Sequence, residues 1–263
     1  MRVDYRRLGP SAAEVDGRAV RLGRPEQRAT LVKPSPRLAS PCDRRPEIRW
    51  TAAVYGRTML DATLFAASAA ALCDSDAGLA EIVRRHGLPE FWAREPGLET
   101  LVLLILEQQV SLASARAAYD RLELRLGGLT TAGILRSSDA ELRADGFSRQ
   151  KARYVRVLST AIEDGSLDLL AVATLDDDGV RSALVALPGI GPWTADVYLL
   201  SALRRPDVWP VGDIALQEAA RRVRGLELRP TPVELEAIGE IWRPHRASAA
   251  RLLWHLYLSE PRR

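Results

Sequence analysis

Leu187-Pro188-Gly189-Ile190-Gly191-Pro192-Trp193-Thr194-Ala195-Asp196 decides the reading of this 263-residue chain. An apolar-Pro-Gly-apolar-Gly turn opens a helix. Glycine reaches backbone angles barred to other residues, so the chain can turn tightly between two helices. Without a Cβ at Gly189 or Gly191, another backbone or a phosphate can come close. Pro192 suits a first helical position, where its missing N–H costs nothing. The helix then presents unpaired N–H groups and its positive dipole end, a ready anion site. Downstream, Trp209-Pro210-Val211-Gly212-Asp213-Ile214-Ala215-Leu216 sets Asp213 between a Pro/Gly turn and a new helix, as an N-cap or a buried carboxylate.

Working outward, residues 57–263 read as helical throughout. Apolar residues recur at helical spacing over Ala62–Leu72, Ala77–His86, Leu98–Leu126 with a break near Val110-Ser111, Ser148–Glu163, Pro192–Leu203, Asp213–Arg224, Pro232–Trp242 and His245–Leu258. Shorter helices are expected at Thr130–Leu135, Asp139–Asp145, Asp168–Ala173 and Asp178–Ala186. No segment alternates convincingly enough to be a strand. The expectation is an all-α domain of about ten helices. Residues 1–56 differ: they are rich in Arg, Pro and Gly, with at best short strands at Val15–Leu22 and Ala29–Val32. They read as a disordered extension, with Met59 as an alternative start.

Charge follows the same division. Residues 1–50 carry 12 Lys/Arg against 6 Asp/Glu, while the remaining 213 carry 25 against 28. The overall +3 therefore belongs to the leader, and any nucleic-acid binding by the helical part must be local. No run approaches the roughly 18 apolar residues that would span a bilayer, and no secretory signal is legible at the N-terminus; a cytoplasmic protein is expected. Two cysteines, Cys42 and Cys73, are too few for a four-cysteine iron–sulfur cluster or a cysteine-based zinc site. The three histidines show no metal-ligand spacing.

Glu107-Gln108-Gln109-Val110-Ser111, Gly146-Phe147-Ser148-Arg149-Gln150-Lys151-Ala152, the hairpin, Pro210-Val211-Gly212-Asp213 and Trp242-Arg243-Pro244-His245-Arg246 occur in one order. Together they resemble the helix-hairpin-helix DNA glycosylase superfamily over roughly residues 60–260, nearest to its 3-methyladenine DNA glycosylase II branch. The resemblance implies a helix-hairpin-helix glycosylase fold of two subdomains with a cleft between them. It also implies a monomeric base-excision-repair enzyme acting on double-stranded DNA that contains damaged bases. Such an enzyme flips the damaged nucleotide out of the duplex, because the target is unreachable inside the stack.

The family's roles then fall on particular residues. Asp213 is the implied catalytic carboxylate, since breaking the N-glycosidic bond builds positive charge on the sugar. Trp193 and Trp254 are implied to line the base pocket, where a π face attracts a cationic base. Gln109 is implied to wedge into the gap left by the flipped base. Ser148, Lys151, Gly189, Gly191, Thr194 and Arg246 are implied DNA contacts. Hairpin carbonyls, by position Leu187 and Gly189, are candidates for a monovalent cation (Na or K); no other cofactor is expected. Lyase-type relatives carry a lysine where Trp193 stands, so no strand cleavage is expected. One departure keeps the lesion open: Val197 occupies the place of the relatives' tyrosine, with Tyr198 off that face. Uracil, hypoxanthine or a mismatch are therefore alternative targets, and a non-enzymatic lesion-binding protein is the alternative from another class.

Overall fold

The computed structural model describes residues 58–260. Expectations for residues 1–56, with the short strands and Cys42, lie outside the described residues. Within them the chain is helical and contains no strand. There are thirteen α-helices, among them the short ones expected, at Thr131–Arg136, Asp139–Ala144 and Leu169–Thr174, and the two into which the Leu98–Leu126 stretch divides. The order is α1 (Ala62–Ser75), α2 (Ala77–His86), α3 (Leu98–Glu107), α4 (Leu112–Leu126), α5 (Thr131–Arg136), α6 (Asp139–Ala144), α7 (Arg149–Glu163), α8 (Leu169–Thr174), α9 (Asp177–Val185), α10 (Pro192–Ser201), α11 (Ile214–Arg224), α12 (Pro232–Gly239) and α13 (Arg246–Ser259). No helix among the described residues is long and apolar enough to cross a membrane.

Caps set most boundaries. Asp61, Asp76, Ser111, Thr130, Ser138, Ser148, Asp168, Asp176, Asp213 and Thr231 each accept a backbone N–H from the first turn of the helix they precede. Each such cap is worth about 0.5–2 kcal/mol. Ser138 with Glu141 and Thr231 with Glu234 form reciprocal capping boxes. The expected helix over Pro232–Trp242 instead tightens after Gly239 into a 3₁₀ turn, Glu240–Trp242. Pro244 explains the ending: it drives Arg243 into extended backbone.

The helices gather in two groups. The central part of the chain packs α7 across α3, α5 and α6, and α10 against α3 and α9. The two ends of the described chain meet in the other group, where α13 lies on α1, α2 and α11. Leucines with no exposed surface fill both, among them Leu101, Leu104, Leu122, Leu199, Leu216 and Leu252. Burying each contributes about 1.5–3 kcal/mol. The loop between α2 and α3 crosses from one group to the other. Arg94 N–H donates to the Ser201 carbonyl at 2.9 Å, and Arg251 on α13 donates to the Trp92 carbonyl at 2.8 Å. Arg251 is buried and stacks on Trp92 and Phe91. Burial pulls its pKa down to about 9.

Candidate active site at the hairpin cavity

A cavity of about 690 Å³ opens between the end of α3, the start of α7, the hairpin and the start of α11. The first turns of α7, α10 and α11 all contribute to its wall. With Leu112 at the start of α4, four helix N-termini border one space, together with the Glu107 and Asp213 carboxylates. The Leu187–Gly191 turn leads into α10, whose N-cap is Gly191 with no side-chain cap.

The two hairpin glycines serve different purposes. Gly189 has φ +98°, and a Cβ there would collide with the Tyr154 ring. Its glycine is demanded by the fold. Gly191 has no atom within 4 Å of where a Cβ would lie. The fold tolerates a side chain there, so its absence leaves the backbone accessible from outside.

Asp213 is 3% exposed and lines the cavity. As N-cap of α11, its Oδ1 accepts the Leu216 N–H at 2.9 Å. Two indoles also donate to it: Trp193 Nε1–H to Oδ2 at 2.9 Å and Trp254 Nε1–H to Oδ1 at 3.1 Å. One side chain thus caps α11 and borders the cavity. Trp193 is half-buried on the cavity wall. Trp254 is placed differently from the implied pocket role: it is 2% exposed and lies behind the wall, packed on Trp92 with ring centroids 5.8 Å apart. What it offers the site is an N–H, not a face.

Gln109 stands at the cavity rim, exposed, at φ +58°. A non-glycine residue in this left-handed region costs energy and is commonly held at functional sites. Its neighbour Gln108 points inward, donating from Nε2 to the Gly189 carbonyl at 2.8 Å and to Thr194 Oγ1 at 3.0 Å. This residue, unassigned from sequence, ties the end of α3 to the hairpin.

Several implied DNA contacts have partners within the protein. Thr194 is 1% exposed and serves as an internal partner of Gln108. Lys151 reaches the cavity, but its ammonium donates to the carbonyls of Leu106 and Gln108 at 2.7 and 2.8 Å. It caps the C-terminal end of α3, where a cation opposes the dipole, and burial pulls its pKa down. Arg246 is 7% exposed and binds Asp207, Glu236 and Glu240, away from the Asp213 cavity. It answers an acidic cluster and meets neither Asp213 nor the cavity. Ser148 is exposed and caps α7 through the Lys151 N–H at 3.2 Å. The Gly189 carbonyl is engaged by Gln108, and the Leu187 carbonyl accepts the Ile190 N–H at 3.1 Å. Each keeps a second lone pair, so the pair fits a cation only as part of a larger ligand set. Val197 lines the cavity as the sequence placed it, while Tyr198 is buried and its hydroxyl accepts the Gly97 N–H.

Two further cavity residues were given no role from the sequence, although Glu107 opens the quoted Glu107–Ser111 motif. Glu107, the last residue of α3, and Arg94, from the α2–α3 loop, form a forked ion pair at 2.8 and 3.2 Å. Both side chains are only 6% exposed. Burial pushes the Glu107 carboxyl up, and Arg94 offsets this only in part.

A family model described as HhH-GPD superfamily base excision DNA repair protein matches residues 102–244. A putative DNA-3-methyladenine glycosylase, YfjP, of Bacillus subtilis is 34% identical over 114 residues, 43% of this chain and 40% of that relative. The chain thus spans less than half of that relative's length. DNA-3-methyladenine glycosylase 1 of Schizosaccharomyces pombe is 30% identical over 165 residues, 61% of this chain and 72% of that protein. The solved structure of the Schizosaccharomyces pombe 3-methyladenine DNA glycosylase Mag1 in complex with abasic DNA matches with a TM-score of 0.67 at 25% identity, covering 71% of this chain and 94% of that one.

Proposed function

This chain belongs to the HhH-GPD superfamily of base excision DNA repair proteins, and on that premise we propose that it is a monofunctional DNA glycosylase that removes alkylated bases. It acts as a monomer on double-stranded DNA and leaves an abasic site. The observation that carries this reading is the Asp213 carboxylate, fixed by two indole N–H groups on the wall of a cavity that begins at the hairpin.

The geometry supports the following division of labour. The uncapped start of α10, with open space at Gly191, receives a backbone phosphate beside the damaged nucleotide. A monovalent cation at the remaining lone pairs of the Leu187 and Gly189 carbonyls would neutralise that phosphate further. The nucleotide swings into the cavity, at a cost of a few kcal/mol that a damaged pair lowers. Gln109, strained and exposed on the rim, fills the space left in the stack. As the glycosidic bond lengthens, positive charge grows on the deoxyribose. A carboxylate already oriented in a water-poor site stabilises it without reorganising. The same carboxylate orients the attacking water. Trp193 gives the base an aromatic wall. Among the described residues no lysine amine is free for a Schiff base: Lys151, the sole lysine there, is tied to two carbonyls.

The direct test incubates the protein with a methylated duplex and follows free base by chromatography. Base release is expected without strand scission until alkali is added. Asp213→Asn keeps the capping group and removes the charge, so release should fall by about 10²–10³-fold. Equal rates would overturn the mechanism. Val197 on the cavity wall supports a second reading, with deaminated or mismatched bases as substrates; single-lesion duplexes carrying uracil or hypoxanthine separate the two.

A further inference from the structure

The Arg94–Glu107 pair is poorly explained by stability. Glu107 sits at the C-terminal end of α3, where the helix dipole disfavours an anion. It is buried, and a buried ion pair is often matched or bettered by well-packed apolar residues. Arg94 also leaves its Nε–H without a partner among the described residues. Such a group ordinarily costs about 1–3 kcal/mol. Yet the fold takes trouble to hold the pair. The Arg94 backbone is tied to Ser201, the α2–α3 loop is pinned by Arg251, and Lys151 neutralises the carbonyls on either side of Glu107.

What the pair does is set a polar edge in a cavity shared with Trp193 and Asp213. Arg94 donates one N–H to each Glu107 oxygen. Each oxygen keeps a further lone pair, and Arg94 fixes the plane in which those lone pairs lie. An oriented carboxylate is an acceptor only. It rewards a ligand edge that donates and penalises one that presents another acceptor or a hydrocarbon rim.

We propose that Glu107, held by Arg94, accepts the exocyclic amino group of the extruded purine and so selects lesions whose amine is free. Alkylated adenine, with its NH₂ on C6, satisfies it. Hypoxanthine, with an acceptor oxygen in place of the amine, and 1,N⁶-ethenoadenine, whose amine is locked into a ring, leave a buried carboxylate without that amine donor. Sites built to bond a substrate N–H discriminate strongly against analogues lacking it. This inference rests on the glycosylase reading above, and its test is built to fail separately from it.

The experiment measures equilibrium binding of free bases to the protein pre-saturated with a duplex containing an abasic analogue, by quenching of tryptophan emission. No bond is broken, so the readout is independent of catalysis. The wild type should bind 3-methyladenine at least about tenfold more tightly than 1,N⁶-ethenoadenine or hypoxanthine. Glu107→Gln, which keeps the shape but presents an amide, should bring the three within about threefold of one another while affinity for the abasic duplex holds. An unchanged preference in that variant overturns the proposal, as does a wild type that shows no preference. Arg94→Lys keeps a positive charge but loses the fork; it should erode the same preference, and it decides the matter where Glu107→Gln fails to fold. Release assays on the three lesions run alongside. A wild type that prefers 3-methyladenine in binding yet releases no base defeats the glycosylase reading and leaves the role of Glu107 intact.

Discussion

Asp76 and Asp213 look alike locally and are used differently. Each is a buried N-cap aspartate: Asp76 accepts the amides of Gly78 and Leu79, Asp213 that of Leu216. Each also accepts an indole N–H from a distant tryptophan, Trp242 at 2.7 Å for Asp76 and Trp254 at 3.1 Å for Asp213. The remaining partners separate them. Asp76 takes the Arg224 guanidinium at 2.5 Å, and Arg224 lies over the Trp242 ring. Its oxygens are spent joining α2 to α11 and to the turn before α13. Asp213 takes a second indole, Trp193, itself part of a cavity wall. The same capping residue is structural where a cation closes it off, and available for chemistry where it borders open space.

The sharpest way to break this comparison is to neutralise each aspartate in turn. Asp213→Asn should slow base release by about 10²–10³-fold with little change in melting temperature, since asparagine caps as well as aspartate. Asp76→Asn should do the reverse: base release stays within about twofold, while the lost ion pair and hydrogen bonds lower stability by about 1–3 kcal/mol. Single-turnover release and thermal melting on both variants give the crossed pattern. A large activity loss in Asp76→Asn would show that the two sites are not independent.

A smaller effect is expected from the indoles. Trp254→Phe keeps a buried ring and removes one hydrogen bond to a charged oxygen. Such bonds are worth about 1.5–3 kcal/mol, so base release should fall by roughly tenfold or somewhat more. Trp242→Phe removes the matching bond at Asp76 and should leave base release unchanged while costing stability. Were Trp254 only packing, both variants would lower the melting temperature and neither would touch the rate.

The comparison also shows which parts of the site were legible in the sequence. The hairpin and Asp213 were, because tight turns and caps are written in adjacent residues. The position of Gln109 at the end of a long apolar helix was legible too, and it lies on the cavity rim; its wedge role came from the resemblance alone. Arg246 was assigned to DNA by the resemblance, and the fold instead turns it into the acids at Asp207, Glu236 and Glu240. Trp254 was identified, but its direction was not: helical spacing says which face a ring occupies, not whether its edge or its plane meets the site. Arg94 sits in a loop with no periodicity, and only the Arg251 stack and the bond to Ser201 bring it to Glu107. Glu107 was quoted within the Glu107–Ser111 motif and closes the otherwise apolar run Leu101–Leu106, but neither signal gave it a role.

The smallest expected effect concerns acid. Burial alone would push the Asp76 carboxyl up, but the Trp242 indole, the Arg224 guanidinium and the Leu79 amide together hold it below the usual carboxylate range. Its folded pKa therefore lies below its unfolded one. The stability this provides is fully present above the unfolded value, about 3.9, and is lost as pH falls through the depressed folded value. Other carboxylates titrate in the same range, so the wild-type curve alone cannot isolate it. The difference between wild type and Asp76→Asn can, because the other groups cancel. Denaturant unfolding of both proteins should show a constant stability gap from about pH 5 to 7 that narrows as the pH is lowered further. A gap that stays constant into acid would mean that the asparagine is penalised for lost geometry alone. The ionised carboxylate between Trp242 and Arg224 would then not be what fixes α2 against α11.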